Sequence, residues 1–145
     1  MLIGSKFLCE LIPDPKVKLK KLPKADYILY LINSKNIKTS LKLFYHFKKL
    51  LSSNSKKTKI AFFSSGAVYG PRFKNVKFRE NEIININKIN KFNGYKKNYA
   101  KQKILLEKEF QMLSTSGFKV SIIRGFTFYG KHILKYNYLI SQIIN

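Results

Sequence analysis

The chain has 145 residues, 45% of them hydrophobic, and a formal charge of +22 at pH 7. This length and composition suit one domain with its own core, spanning 1–145, and exclude a second full domain. The longest apolar stretches stop far short of the roughly 20 residues of a membrane helix, and no signal-like segment begins the sequence. We therefore expect a cytoplasmic protein with no membrane partner.

The positive charge comes from 29 lysines and arginines against 7 acidic residues, which invites a nucleic-acid partner. Only Arg72, Arg79 and Arg124 are arginines, however, and the lysines are scattered along the chain without a basic arm. Because proteins that bind phosphate or guanine favour arginine, we expect no specific nucleic-acid partner and only salt-sensitive adsorption to polyanions. A basic nucleic-acid-binding protein is kept as a third interpretation.

Three short apolar runs predict strands, at 25–32, 59–65 and 119–125. Their continuous apolar character is typical of parallel strands that are buried on both faces. Between them, apolar residues recur at helical spacing in two segments, about 37–52 and 95–113. The alternation predicts an α/β fold, an open parallel sheet with flanking helices and right-handed crossovers.

Ligands of such sheets bind beyond the carboxyl ends of the strands. The stretch SSGAVYG, 64–70, begins where the second predicted strand ends, and RGFTFYG, 124–130, occupies the corresponding place after the third. The polar segment 70–94 between them predicts a loop over this end of the sheet, with at most a short turn of helix.

The second predicted helix carries YAKQK, in which Tyr99 and Lys103 lie one turn apart on the same face. An ammonium within roughly 4 to 6 Å favours phenolate and brings the tyrosine pKa, about 10 when free, towards neutrality. A serine hydroxyl at the neighbouring strand end then holds a substrate oxygen while the tyrosine moves its proton. Tyrosine and lysine at this spacing also occur on helices that have no catalytic role.

Three segments in order, SSGAVYG, YAKQK with Glu107 four residues later, and RGFTFYG, closely resemble signatures of the extended short-chain dehydrogenases/reductases. The resemblance is to their NAD-dependent epimerase/dehydratase family of nucleotide-sugar enzymes. It implies a partial Rossmann-like, doubly wound parallel sheet that lacks the first strand and the glycine-rich turn.

The resemblance also implies roles for individual residues. Ser65 aligns with the catalytic Ser/Thr that contacts substrate, Tyr99 with the acid/base, and Lys103 with the lysine that lowers the tyrosine pKa and binds the nicotinamide ribose. Thr127 aligns with a substrate-binding position that is often asparagine. Gly66 and Ala67 stand where dehydratases of the family carry an acidic pair, which favours an epimerase or a keto-sugar reductase acting on a nucleotide sugar.

For the cofactor, NAD or NADP, the resemblance implies contacts from Tyr99, Lys103, Gly4 and Leu31. Gly4 resembles the last glycine of the family's glycine-rich turn, whose earlier part is absent from the sequence. Leu31 lies on the strand that resembles the family's cofactor-lining strand. There Tyr30 and Ile32 replace a histidine and a small alanine, which predicts more bulk beside the dinucleotide.

Because phosphate contacts are missing from the sequence, we expect poor affinity for NAD, and catalytic activity stays open. The alternative is a catalytically impaired fragment of such an enzyme with a structural or interaction role. A homodimer, or a second chain that completes the fold, is compatible with either interpretation.

Other candidate sites carry weaker signals. His46, His132 and Cys9 have no metal-ligand spacing, so we expect no metal site and expect Cys9 to be a small buried side chain. Glu80 and Glu82 resemble an acidic element that precedes the catalytic helix in the family, and solvated loop charges explain them equally well.

Overall fold

The computed structural model describes residues 22, 24–34, 36–51, 56–71 and 77–126. Its elements in chain order are β1 (Tyr27–Tyr30), α1 (Ile37–Leu51), β2 (Lys59–Ser65), a 3₁₀ turn (Gly66–Tyr69), α2 (Ile86–Asn90), α3 (Gly94–Thr115) and β3 (Lys119–Gly125). Every predicted strand and helix is therefore present. The first strand is shorter than predicted, and the segment 70–94 contains the short helix α2.

The three strands form one parallel sheet in the order β1-β2-β3. Ile28, Ile60 and Val120 are aligned across it, and so are Tyr30, Phe62 and Ile122. Helix α1 connects β1 to β2, while α2 and α3 lie between β2 and β3. The α/β prediction is thus confirmed, because parallel neighbours require a crossover and each crossover here contains a helix.

One face of the sheet packs against α1 and α3. The strands contribute their even-numbered side chains, and the helices contribute residues spaced three or four apart, which lie on one face of a helix. The fully or nearly buried members are Ile28, Tyr30, Ile60, Phe62, Phe44, Phe47, Leu51, Leu106, Phe110 and Leu113. The helical spacing in the sequence predicts this stripe on both helices.

The opposite face is more open within the described residues. Leu29, Ala61 and Phe63 are half-buried, and Ile123 is 41% exposed. Two successive crossovers of the same hand place both helices on one side of a sheet whose strand order is sequential. The predicted burial of the strands on both faces is therefore seen on one face only in the part of the chain that the structure describes.

A second apolar cluster joins the 3₁₀ turn and α2 to the first half of α3. It consists of Val68, Tyr69, Ile89, Ala100 and Ile104. The cluster holds the segment after β2 against the helix that carries Tyr99 and Lys103, so it positions the end of β2 relative to that helix.

Among the described helices, none has the length and apolar character needed to cross a membrane.

Tyr30 provides a stability prediction. Its side chain is 2% exposed, and its hydroxyl has no hydrogen-bond partner among the described residues. Burial also raises the pKa of this phenol. Since a buried hydroxyl without a partner loses its hydrogen bonds to water, we expect Tyr30→Phe to raise the free energy of unfolding by about 1 kcal/mol.

Urea denaturation followed by circular dichroism measures this change. Tyr45→Phe is the matched control, because the Tyr45 hydroxyl is exposed and donates to Glu109 Oε1 at 2.9 Å. We expect the control to stay within about 0.5 kcal/mol of the natural protein. A Tyr30→Phe variant that is no more stable than the natural protein would show that the hydroxyl is satisfied.

Candidate functional site

The three parallel strands end at the same side of the sheet, here called the carboxyl end and marked by Leu31, Ser65 and Gly125. Ser65 is the last residue of β2, as predicted, and it pairs with Gly125. Leu31 directly follows β1 and is 52% exposed. Two other predicted site residues, Gly4 and Thr127, lie outside the described residues.

Ser65 occupies the junction between β2 and the 3₁₀ turn. Its backbone is extended, and its Oγ accepts a hydrogen bond from the Ala67 N–H at 3.2 Å, which caps the turn. A capping hydroxyl accepts with the oxygen and keeps its own O–H as a donor. Ser65 is half-buried, so the side chain is held in place while part of it still faces solvent.

Tyr99 and Lys103 lie on one face of α3, as their spacing predicts. The Lys103 Nζ is 5.6 Å from the centroid of the Tyr99 ring and 5.3 Å from that of Phe62. The same Nζ donates a hydrogen bond to the Phe63 carbonyl oxygen at 3.0 Å. Because Phe63 precedes Ser65 by two residues, this bond fixes the tyrosine and lysine pair beside the end of β2.

Lys103 is buried for a charged residue, with 4% of its surface exposed. Burial lowers the pKa of Lys103 to about 8, and the Glu107 carboxylate opposes this effect. The amine therefore changes its charge close to neutral pH, whereas an exposed lysine remains charged until about pH 10.

Tyr99 is half-buried, and the Tyr95 ring one turn earlier stacks on it with centroids 5.9 Å apart and planes inclined by 20°. Tyr95 is largely exposed. Tyr95 is not among the predicted site residues, although its spacing of four residues from Tyr99 is a helical signal. The two rings form an aromatic surface at the first turns of α3.

A buried polar network lies one helical turn after Lys103 on α3, and we call it the Glu107 network. Its centre is the Glu107 carboxylate, 2% exposed, which accepts a hydrogen bond from the Ser64 hydroxyl. Arg124 donates to the same carboxylate, with Nη2 to Oε2 at 2.8 Å and Nε to Oε1 at 3.1 Å. Arg124 Nη1 also donates to the Tyr69 hydroxyl at 2.8 Å.

The network connects β2, the 3₁₀ turn, α3 and β3 at the carboxyl end of the sheet. Glu107 is predicted only as part of the family resemblance, and its partners Ser64, Tyr69 and Arg124 are not among the predicted site residues. A signal was present, because Glu107 stands directly after the buried Leu106 in the apolar stripe of α3. A carboxylate in such a stripe needs a buried cation or donors.

The weaker candidates have structural explanations. Glu82 forms a half-exposed ion pair with Lys88 at 3.4 Å, and Glu80 contributes its main-chain carbonyl, which accepts from Arg124 at 3.1 Å. His46 is an exposed residue of α1. His132 and Cys9 lie outside the described residues. Within the described ranges, no three histidine, cysteine or acidic side chains come together as a metal site would require.

A cleft of about 690 Å³ runs along the outer edge of β3. Its walls include Tyr69, Gln111, Arg124 and Phe126. The Tyr69 ring stacks with Phe78 and with Phe126, with centroids 4.8 and 6.1 Å away. Ser65, Tyr99 and Lys103 are not among the lining residues, so the predicted acid–base residues lie outside this cleft.

The position of Tyr30 corrects one expectation. The sequence predicts that Tyr30 adds bulk beside a dinucleotide, whereas its ring is packed among Phe47, Phe62 and Phe110 in the core. The alternation of side chains along a strand explains the difference, since neighbours of Tyr30 point to the other face. Leu31 is the residue of this segment that is exposed at the carboxyl end.

Comparisons with protein-family models, with curated proteins and with solved structures found no match to this chain. The family resemblance thus rests on the three motifs alone.

Proposed function

We propose that the carboxyl end of the sheet is an acid–base site in which Tyr99 exchanges a proton with a substrate hydroxyl or carbonyl. One observation supports this above others. Lys103 Nζ lies 5.6 Å from the centroid of the Tyr99 ring and is hydrogen-bonded at 3.0 Å to the carbonyl of Phe63, two residues before Ser65, which holds the pair against the last residues of β2. These are the three residues that the motifs predict as catalytic.

The chemistry of each residue follows from its surroundings. The Lys103 ammonium stabilises negative charge on the Tyr99 oxygen as the phenol loses its proton. Among the described residues, the Ser65 oxygen accepts from Ala67, and its O–H can donate to a substrate oxygen. Tyr99 is then the general base when a hydroxyl is oxidised and the general acid when a carbonyl is reduced.

With the motif resemblance added, we propose a Rossmann-like member of the NAD-dependent epimerase/dehydratase family. Its substrate is a nucleotide sugar. The residues after Ser65 are Gly66 and Ala67, which carry no acid, and this supports an epimerase or keto-sugar reductase rather than a dehydratase.

The described residues fit one end of a nicotinamide cofactor. Leu31 offers an exposed apolar surface at the carboxyl end, and the Lys103 ammonium has three N–H donors, of which its bond to Phe63 uses one. NAD or NADP supplies the hydride acceptor when bound. The described residues that would hold it are Leu31, Tyr99 and Lys103, of which Lys103 would donate to the ribose hydroxyls.

A second candidate function is a catalytically impaired relative with a structural or interaction role. The supporting observation is that Ser65 and Lys103, the other two residues predicted as catalytic, both have structural contacts. Ser65 caps the 3₁₀ turn, and Lys103 is 4% exposed with its Nζ on the Phe63 carbonyl. Such contacts stabilise the end of β2 whether or not a substrate binds.

Tyr99→Phe separates the two candidates. If Tyr99 transfers a proton, we expect this variant to lose about 10²- to 10⁴-fold in turnover of a nucleotide sugar, with a much smaller change in its affinity for NADH. Turnover is followed by the absorbance of NADH with a panel of uridine, guanosine and thymidine diphosphate sugars. Binding is followed by the fluorescence of NADH.

Tyr27→Phe is the matched control for this experiment, because Tyr27 is a half-exposed tyrosine at the start of β1, away from the carboxyl end. It should behave as the natural chain. If the natural protein does not bind NADH at millimolar concentration, the structural or interaction role is favoured over the enzymatic function. Equal turnover by Tyr99→Phe and the natural protein would remove Tyr99 from the mechanism.

Three further proposals rest on the sequence: a cytoplasmic location, a homodimer or a completing chain, and nonspecific adsorption to polyanions. The last of these differs from selected nucleic-acid binding in its response to salt. Adsorption that disappears steeply with salt and shows no sequence preference excludes the nucleic-acid-binding interpretation.

A further inference from the structure

We infer that Glu107 is a positioning residue of the proposed acid–base site. It fixes α3 to the ends of β2 and β3 through Ser64 and Arg124, and it places a negative charge one helical turn from Lys103. The inference rests on the proposed function for its catalytic meaning. Its structural part concerns only the Glu107 network and Lys103.

Two hydrogen bonds fix the register of α3 along β2. Two neighbouring residues of β2 are bonded to successive turns of α3: the Phe63 carbonyl accepts from Lys103, and the Ser64 hydroxyl donates to Glu107. The next residue of β2 is Ser65, and the preceding turn of α3 carries Tyr99. Side chains four apart on a helix lie above one another, so the Ser64 bond to Glu107 sets the height of Lys103 and Tyr99 along β2.

The contact between Arg124 and Glu107 fixes the rotation of α3 about its own axis. Arg124, from β3, holds the Glu107 carboxylate by two donors, Nε and Nη2, and the two-pronged contact fixes direction as well as distance. With Ser64 on one strand and Arg124 on its neighbour, the carboxylate is held by both strands that face α3. The face that carries Lys103 and Tyr99 is therefore held towards the end of β2.

Lys103 has titratable and charged neighbours on three elements in the described residues. On its own helix, Tyr99 and Glu107 lie one turn before it and one turn after it, and Nζ is 5.6 Å from the centroid of the Tyr99 ring. From β2, the Phe63 carbonyl and the Phe62 ring face it, and neither titrates. Arg124 of β3 and Tyr69 of the 3₁₀ turn lie beyond Glu107 and are bonded to the network.

Glu107 is thus the acidic side chain that these contacts fix one helical turn from Lys103. Burial lowers the pKa of Lys103 to about 8, and the carboxylate works against that fall. Without the carboxylate, more of the amine is neutral at physiological pH, and a neutral amine does not stabilise a Tyr99 phenolate.

The experiment is a titration of Lys103 by NMR in the full chain, made with lysine labelled with ¹³C at Cε. The Lys103 signal is assigned by its loss in Lys103→Met. We expect a midpoint near pH 8 in the natural protein and a midpoint about 1 pH unit lower in Glu107→Gln, which keeps the shape of the side chain and removes its charge. Glu107→Asp keeps the charge, so its Lys103 midpoint should lie close to that of the natural protein.

Glu109→Gln is the matched control, because Glu109 lies on the same helix and accepts from the exposed Tyr45 hydroxyl. It should leave the midpoint unchanged. A folded Glu107→Gln protein whose Lys103 titrates as in the natural chain overturns the inference. A loss of stability alone, without this shift, likewise assigns Glu107 a purely structural role.

If Glu107→Gln does not fold, Ser64→Ala tests the same idea. It removes the hydroxyl that partly neutralises the carboxylate, so the Lys103 midpoint should move to higher pH, and an unchanged or lower midpoint overturns the inference. The titration needs neither substrate nor cofactor. Its failure is therefore distinct from failure of the proposed function, which the Tyr99→Phe experiment measures separately.

Discussion

Phe110→Ala is expected to lower the free energy of unfolding by about 3–5 kcal/mol, the range for a large aromatic side chain removed from a packed core. Phe110 is fully buried. Its ring stacks on Phe62 at 4.5 Å and meets Phe44 at 4.9 Å and Tyr30 at 5.0 Å. One side chain of α3 therefore contacts α1 and two strands of the sheet, and its removal leaves a cavity that touches all of them.

The measurement is urea denaturation, monitored by circular dichroism. Met112→Ala is the matched control, because Met112 is a large apolar residue of the same helix and is half-exposed. Its effect should remain below about 1 kcal/mol. If Phe110→Ala costs no more than Met112→Ala, the rings around Phe110 do not form the core that the structure describes.

The positions of the strands and helices could be predicted because each is signalled by local sequence. A continuous apolar run such as KIAFFSS marks a buried strand, and the recurrence of Phe44, Phe47 and Leu51 marks a helix face. The face of the sheet that the helices cover could not be predicted this way. It depends on the hand of two crossovers and on the strand order, which continuous apolar runs do not encode.

The candidate site, too, could be predicted from the sequence only in part. Tyr99 and Lys103 could be placed together from their spacing, because four residues along a helix bring side chains into contact. The Glu107 network could not, since its partners are 17 residues apart for Arg124 and 43 for Ser64, and hydrogen bonds between distant residues leave no periodic signal. The Tyr30 hydroxyl, which has no hydrogen-bond partner among the described residues, could not be predicted either, because its burial follows from packing around Phe110.

Arg124→Met is the second large effect that we expect, a loss of about 3–5 kcal/mol in the free energy of unfolding. The Arg124 side chain is 17% exposed and that of Glu107 is 2% exposed, so the variant leaves a carboxylate buried without its cation. The Tyr69 hydroxyl and the Glu80 carbonyl also lose a donor. If the protein is only marginally stable, the variant shows no cooperative unfolding transition at all.

A double variant identifies the cause of that loss. Arg124→Met combined with Glu107→Met removes both charges and replaces them with apolar side chains, so it should regain most of the stability lost in Arg124→Met alone. Lys88→Met, which breaks the half-exposed pair with Glu82, should cost no more than about 1 kcal/mol. If the double variant is as unstable as Arg124→Met, the loss comes from packing of the arginine stem and not from the buried, unpaired charge of Glu107.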